Sequence, residues 1–267
     1  MPCYICETCG TQHAPTLEPP SHCSICEDDR QYVGWRGQAW TTHAALTERF
    51  QLRIEDDDGL LGIGIRGDFA IPQRAVVLPT SDGIVLWECV SLVTEPAISQ
   101  LQAGGGLNHI VISHPHFYSS MVEWSDAFGG VPILLHESDR DWIRRSSRNV
   151  HFWSGDVYRL SKDVTLIRCG GHFPGSTALL WHAPGRRSVL FPGDALQVAT
   201  DRRHVAFMYS YPNYVPMKTS DVRAMRERLS GYDYEDVYGY TWGRNIIGNG
   251  RSAVEASFDR HLQMVNS

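Results

Sequence analysis

Leu107-Asn108-His109-Ile110-Val111-Ile112-Ser113-His114-Pro115-His116-Phe117-Tyr118-Ser119 is the stretch on which the reading of this chain turns. Ile110, Val111 and Ile112 form a short β-branched run without a polar break, the pattern of a strand covered on both faces. Pro115 biases His114 towards an extended backbone, so both histidines are expected just past the strand's end. Side chains alternate along an extended segment, and His114 and His116, two apart, then point the same way. Two imidazoles meeting at a strand end suit a metal ion, although an isolated pair is more often structural.

Two later stretches repeat the arrangement. Residues 164–167 read as a strand running through Arg168-Cys169-Gly170-Gly171 into His172-Phe173-Pro174-Gly175-Ser176. Residues 188–191 read as another, leading into Pro192-Gly193-Asp194. Three apolar strands thus each end in a potential ligand, with Gly or Pro turning the chain. Zinc takes imidazole nitrogens and a carboxylate oxygen, and three or four such groups make a site. A histidine pair, then G-H-x-P-G-S, then P-G-D, in that order, resembles the metallo-β-lactamase-fold metallohydrolases over residues 37–267. The resemblance implies an α/β fold: two αβ halves packed as an αβ/βα four-layer sandwich, with the metal site at the edge where they meet.

The departures from the family pattern are informative. Its first motif reads H-x-H-x-D-H and usually serves two metals, but here Tyr118 stands at the Asp position and Ser119 at the last His. The family's late histidine would fall near Tyr238-Gly239-Tyr240-Thr241-Trp242-Gly243, which contains none. The resemblance therefore carries over His114, His116 and His172 as ligands of the first site and Asp194 as the bridging ligand. It implies a one-metal member, or one that has given up catalysis.

A chain of 267 residues, 42% hydrophobic and 20% charged, suits one large globular domain with a small addition. The formal net charge of -6 argues against a general nucleic-acid binder, whose affinity rests on neutralising phosphates. Met1-Pro2-Cys3-Tyr4 shows neither the basic nor the apolar region of a secretory signal, and no apolar stretch approaches the ~20 residues of a membrane helix. Seven cysteines, most of them crowded near the start, favour a reducing, cytoplasmic setting over a disulfide framework.

Residues 1–36 read as a separate unit. Cys6-Glu7-Thr8-Cys9 and Cys23-Ser24-Ile25-Cys26 are two C-x-x-C knuckles whose thiolates can close on one ion, a zinc-ribbon-like pattern. So short a segment has few large apolar residues and needs such a staple to fold. Cys3 forms an overlapping C-x-x-C with Cys6, so the choice of ligands is not unique; Cys6, Cys9, Cys23 and Cys26 is the symmetric set. Structural Zn²⁺ is the leading expectation and a rubredoxin-like iron site the rival. Glu7, Glu18, Glu27, Asp28 and Asp29 make a nucleic-acid finger unsuitable.

Elsewhere, Thr41-Thr42 caps a short helix over residues 44–49, and Asp56-Asp57-Asp58-Gly59 reads as a turn. Residues 75–78 and 84–90 read as a hairpin across Thr80-Ser81-Asp82-Gly83, with Glu88 a weak candidate to face the site and Cys89 needing no function. Helices are expected over 120–128, 220–229 and 253–264, a strand over 131–135 and a helix-like turn over 139–145. His136 and Glu137 are candidates to support a metal ligand from behind. The aromatic run 207–214 is expected to wall a pocket or pack the core. Trp242 and Arg244 are expected to fill the vacated second metal site or touch substrate there.

The functional expectation is a metal-dependent hydrolase in which His114, His116, His172 and Asp194 hold one Zn²⁺ (Fe²⁺ being the other option), Asp194 serving as fourth ligand or as base. Zinc lowers the pKa of bound water to about 7, and Tyr118 is expected to donate to a developing oxyanion. The resemblance implies a small-molecule ester, lactone, thioester or amide as substrate. A non-catalytic metal- or ligand-binding protein, and a mononuclear iron enzyme similar to the sulfur dioxygenases of the family, are the alternatives.

Overall fold

A computed structural model describes residues 1–182 and 185–266, so residues 183, 184 and 267 of the expected main unit lie outside the described residues. The strand alternation predicted from sequence sets its layers. In Gly83–Trp87, Val85 and Trp87 point one way and Leu86 the other; in the run after His109, Val111 joins the first group and Ile110 and Ile112 the second. One face therefore packs against a second sheet and the other against helices.

The first sheet has seven strands in the spatial order Val150–Trp153, Ile133–His136, His109–Val111, Gly83–Trp87, Arg74–Thr80, Leu60–Ile65 and Leu52–Asp57. The first four run parallel and the rest form an antiparallel meander. The second sheet runs Val157–Arg159, Val164–Arg168, Thr177–Trp181, Val189–Phe191, Asp236–Tyr238 and Asn245–Ile246. Between the sheets lie Val76, Leu78, Trp87 and Val111 from one side and Leu166, Leu179, Trp181 and Phe191 from the other. Glu95–Ala103 and Met121–Ala127 cover the outer face of the first sheet through Leu101, Val122 and Trp124. Thr219–Ser230 and Gly250–Asn266 cover the second through Met225, Val254 and Phe258. This is the expected αβ/βα four-layer sandwich.

The two halves are pinned by a buried arginine. Arg74 donates through Nε to Asp57 Oδ2 (2.6 Å), through Nη1 to the Gly239 carbonyl (2.8 Å) and through Nη2 to Asn245 Oδ1 (2.9 Å). Beside it the Trp242 indole packs against Gly62 and Gly64 of Leu60–Ile65. A Cβ on Gly62 would fall 2.7 Å from that ring and one on Gly64 2.6 Å from it, so both positions need the bare glycine.

At the N-terminus, Cys3–Cys6 pairs with Gln12–Pro15 on one side and with Trp40–Thr42 on the other. The helix that follows, His43–Arg49, starts where expected, with Thr42 Oγ1 accepting from the Ala45 amide at 3.3 Å. Residues 139–145 differ from expectation: the turn is a short 3-10 helix, Glu137–Trp142, and has ended before 145. The acidic stretch 55–57 is also strand, so only Asp58 and Gly59, both at positive φ, make the turn.

Candidate metal centres and the cavity beside them

Among the described residues, two sets of metal-ligand side chains have converging donor atoms, each set within 4.8 Å of one another: Cys6, Cys9, Cys23 and Cys26, and His114, His116, His172 and Asp194. The cysteine set is buried, with Cys6 Sγ 3.5 Å from Cys26 Sγ and Cys9 Sγ 3.8 Å from Cys23 Sγ. Cys3 is not in the set. Four thiols buried at these distances fit a tetrahedral thiolate site.

The histidine set is built by three strand ends. His109–Val111 delivers His114 in an extended conformation (φ -168°), and Pro115 then opens a 3-10 turn, Pro115–Phe117, that contains His116. Alternation along an extended segment is thus not what aligns the pair. Proline's fixed φ starts the turn, and the turn swings His116 back until the two ring centroids are 5.2 Å apart. His172 follows the turn after Val164–Arg168, and its centroid lies 5.0 Å from each of the others. Asp194 follows Val189–Phe191 through Gly193, at φ +56°, where a Cβ would meet Ser113 Oγ at 2.3 Å. Only glycine lets these two loops approach so closely.

Hydrogen bonds aim the rings. Ser113 Oγ lies 2.7 Å from His114 Nδ1, so Nε2 faces the centre, 3.4 Å from Asp194 Oδ2. His172 Nδ1 contacts the Met208 carbonyl at 3.3 Å, and its Nε2 lies 3.2 Å from His116 Nδ1 and 3.8 Å from Asp194 Oδ2. Burial holds His114 and His172 down at about 3 and His116 well below its ordinary value, so all three rings are neutral at neutral pH. Burial raises Asp194 to about 6, with His172 opposing. His114 Nε2 and Asp194 Oδ1 are buried without a hydrogen-bond partner. Neutral imidazoles with lone pairs converging beside a carboxylate fit a divalent cation, and orphaned buried atoms of this kind call for one.

Glu88 has more consequence than its sequence context suggested. It is fully buried at positive φ (64°) beneath this loop, and its Oε2 accepts the Ser113 amide at 3.2 Å. Burial pushes its carboxyl up to about 8. It thereby supports the residue that orients His114.

Other expectations need correction. Tyr118 is buried in the core of the first half, and its hydroxyl donates to the Asp139 carbonyl at 3.3 Å; with that proton committed, it is not placed as an oxyanion donor. His136 supports no ligand, because its Nδ1 accepts from the Ser138 amide and its Nε2 contacts the Gly155 carbonyl. Asp139, three residues on, is the one that reaches the His172 loop, accepting the Gly175 amide at 2.8 Å. Trp242 lies against Gly62 and Gly64 and shares a small cavity with Ser119 and Gln73.

A cavity of about 320 Å³ opens over His116, His172 and Asp194, walled by Ile71, Pro72, Tyr211, Pro212 and Tyr240. Tyr240 thus stands where the family's late histidine is absent. The aromatic run divides its work: Phe207 stacks on Phe258 in the core (4.6 Å), Tyr211 walls the cavity and Tyr214 is exposed.

A three-histidine, one-aspartate cluster at the strand ends of an αβ/βα sandwich defines a metallo-β-lactamase-fold protein. The solved structure of VMB-1 has the same fold, with a TM-score of 0.59 over 81% of this chain and 98% of that one, at 12% identity. DIM-1 metallo-β-lactamase gives 0.55 over 81% and 97%, at 15% identity. No protein-family model matches the chain. Over its whole length the chain is 38% identical to the uncharacterized protein YmaE of Bacillus subtilis (strain 168), covering 98% of it, and it belongs to the same family.

Proposed function

We propose that this protein is a metal-dependent hydrolase of small-molecule substrates working with one metal ion, held by His114, His116, His172 and Asp194. The convergence of three neutral imidazoles, two of them aimed by hydrogen bonds, on Asp194 at the floor of a cavity carries this reading. A divalent metal ion there, Zn²⁺ or Fe²⁺, would polarise a carbonyl oxygen and lower the pKa of water. The Met208 carbonyl, which can only accept, keeps His172 in the ligating tautomer, and Ser113 holds the His114 ring with Nε2 towards the centre. Asp194 completes the set through Oδ2, and its unpartnered Oδ1 is placed to take a proton from an attacking water. Tyr211, whose hydroxyl bonds the Asp194 carbonyl at 3.3 Å, holds that loop still and helps exclude bulk solvent.

The preference for one ion follows from the missing ligands, since no second carboxylate or histidine joins the cluster among the described residues. Esters, lactones, thioesters and amides are the substrate classes. A reducing, cytoplasmic setting fits the four clustered thiols, and no described helix is long and apolar enough to cross a membrane. Nucleic acid is not a proposed partner, given the net charge of -6. The burial of Tyr118 in the core favours a second reading, a non-catalytic metal- or ligand-binding protein, because a residue of the family's catalytic motif has become packing.

Elemental analysis with kinetics on an ester, lactone and thioester panel tests the proposal. Asp194→Asn should lower kcat/KM by about 10²–10⁴-fold, the usual worth of a positioned base, with little change in melting temperature. His172→Ala should also remove the ion. Turnover that survives both substitutions would place the activity elsewhere, and a wild-type protein that holds its ion but turns over nothing would favour the second reading.

A further inference from the structure

The four-cysteine unit and the histidine cavity share a wall. Thr8, inside the first knuckle, and Gln31 and Tyr32, just beyond the second, line the same cavity as His116, His172 and Asp194. This wall is fastened on two sides. Arg30 donates from Nη1 to the His172 carbonyl at 3.2 Å and lies 3.9 Å over the Phe173 ring, while Asp28 grips its Nε and Nη2 at 2.5 and 2.8 Å. Across the cavity, Asn213 Nδ2 donates to the Asp29 and Gln31 carbonyls at 3.1 and 3.0 Å, and Ser210 Oγ to the Arg30 carbonyl at 3.1 Å. The loop carrying Tyr211 and Pro212 is therefore tied to the segment carrying Gln31 and Tyr32.

The lining also has a distinct chemistry. Apart from the metal-ligand set, every residue around the cavity is uncharged, and no Lys or Arg is among them. The nearby Arg30 guanidinium is taken up by Asp28. A carboxylate or phosphate on the distal part of a ligand would find no cation in this wall, whereas an apolar group would bury its surface against tyrosine, proline and isoleucine. Gln31 adds a neutral polar handle: its Oε1 accepts the Tyr32 amide at 3.2 Å, which leaves the Nε2 donor for a ligand carbonyl.

We propose that the four-cysteine unit is the specificity wall of the histidine cavity, with Gln31 and Tyr32 selecting uncharged ligands that carry an apolar acyl or aryl group. Calling those ligands substrates rests on the hydrolase reading; the wall itself does not. The cysteine ligands hold the wall in register, so their loss should act on ligand binding at a distance from the histidines.

Binding is measured by calorimetry on the full metal-loaded chain, with butyranilide as an uncharged amide flanked by apolar groups and 4-butyramidobenzenesulfonate, the same amide with a weakly coordinating anion at its distal end, as its anionic counterpart. Wild type should prefer butyranilide by about tenfold or more, and Tyr32→Ala should weaken it about fivefold, as expected for loss of one aromatic contact. Tyr32→Phe should bind as wild type, and melting temperature and metal content should stay constant across the three. Replacing Cys6 and Cys26 by Ser should weaken binding as well while the histidine site keeps its ion. Equal binding by wild type and Tyr32→Ala, equal affinity for the sulfonate, or no binding of butyranilide by wild type would each overturn the proposal. Turnover of p-nitrophenyl butyrate, of butyranilide and of the lactone and thioester members of the panel separates the two readings. Tyr32-dependent binding without turnover refutes the hydrolase and supports the wall. Turnover with kcat/KM unchanged in Tyr32→Ala supports the hydrolase and refutes the wall.

Discussion

Asp139→Asn should gain stability over the wild type as pH rises from about 5 to about 8. Asp139 is 1% exposed, and burial pushes its carboxyl up from 3.8 to about 7, against the opposing Gly175 N–H bond and Arg30 charge. A raised carboxyl pKa means that the folded chain binds a proton the unfolded chain has released. Stability from this group is therefore fully present below the unfolded pKa and is lost as pH rises through the folded one. Between about pH 5 and pH 7 the loss runs at about 1.4 kcal/mol per pH unit, or about 2.5 kcal/mol in all. The amide oxygen of the variant can still accept from Gly175 but cannot ionise. Urea unfolding of both proteins at about pH 5 and about pH 8 should show the difference between them growing by about 2.5 kcal/mol in favour of the variant, other titrating groups cancelling. A difference that is constant with pH would mean that Asp139 is already ionised in the fold, held by Arg30 and the Gly175 amide, and the argument from burial would be wrong.

Cys6→Ser together with Cys26→Ser should remove one of two bound ions and leave the histidine site loaded, as read by elemental analysis of protein purified under reducing conditions; loss of both ions would show that the sites are not independent. Gly64→Ala should destabilise the fold by about 1–3 kcal/mol, the usual cost of overpacking, because its Cβ would lie 2.6 Å from the Trp242 ring. Trp242→Ala in the same chain should recover part of that loss in a double-mutant cycle followed by thermal melts, and strictly additive effects would refute the contact.

What could be read in the sequence was whatever depends on local pattern. The runs before His114, His172 and Asp194 are strands because apolar β-branched residues between turn formers leave few alternatives, and their order brings out the fold. Residues 52–65 were harder: Glu55 and Asp56 pair with Gly62 and Leu61 across the sheet, but acidic residues and glycines look like loop when read locally. The glycines make sense only once Trp242, far along the chain, is seen lying on them. The aromatic run marked Tyr211 as a pocket or core residue, but Tyr240 carries no motif and reaches the cavity through tertiary packing alone. Tyr118 shows the reverse error, because a place in a familiar motif says nothing about which way a ring turns.

The ground given up by the second metal site has not been left empty of purpose. Ser119, in the place of a ligating histidine, sits at φ +40°; its Oγ accepts from Gln73 Nε2 at 2.9 Å and its carbonyl from the Gln12 amide at 3.0 Å. Gln73 also donates to the Cys89 carbonyl at 2.6 Å. Gln12 belongs to the N-terminal hairpin, and through Nε2 it reaches Glu123 at 3.1 Å. Two positions that elsewhere in the fold hold a cation therefore join the N-terminal hairpin to the first half and fill its core. A histidine restored at Ser119 would have to break these bonds before it could bind a metal, and a carboxylate at Tyr118 would be buried where the phenol now packs. Regaining the second ion is thus opposed by contacts that tie the N-terminal hairpin to the first half.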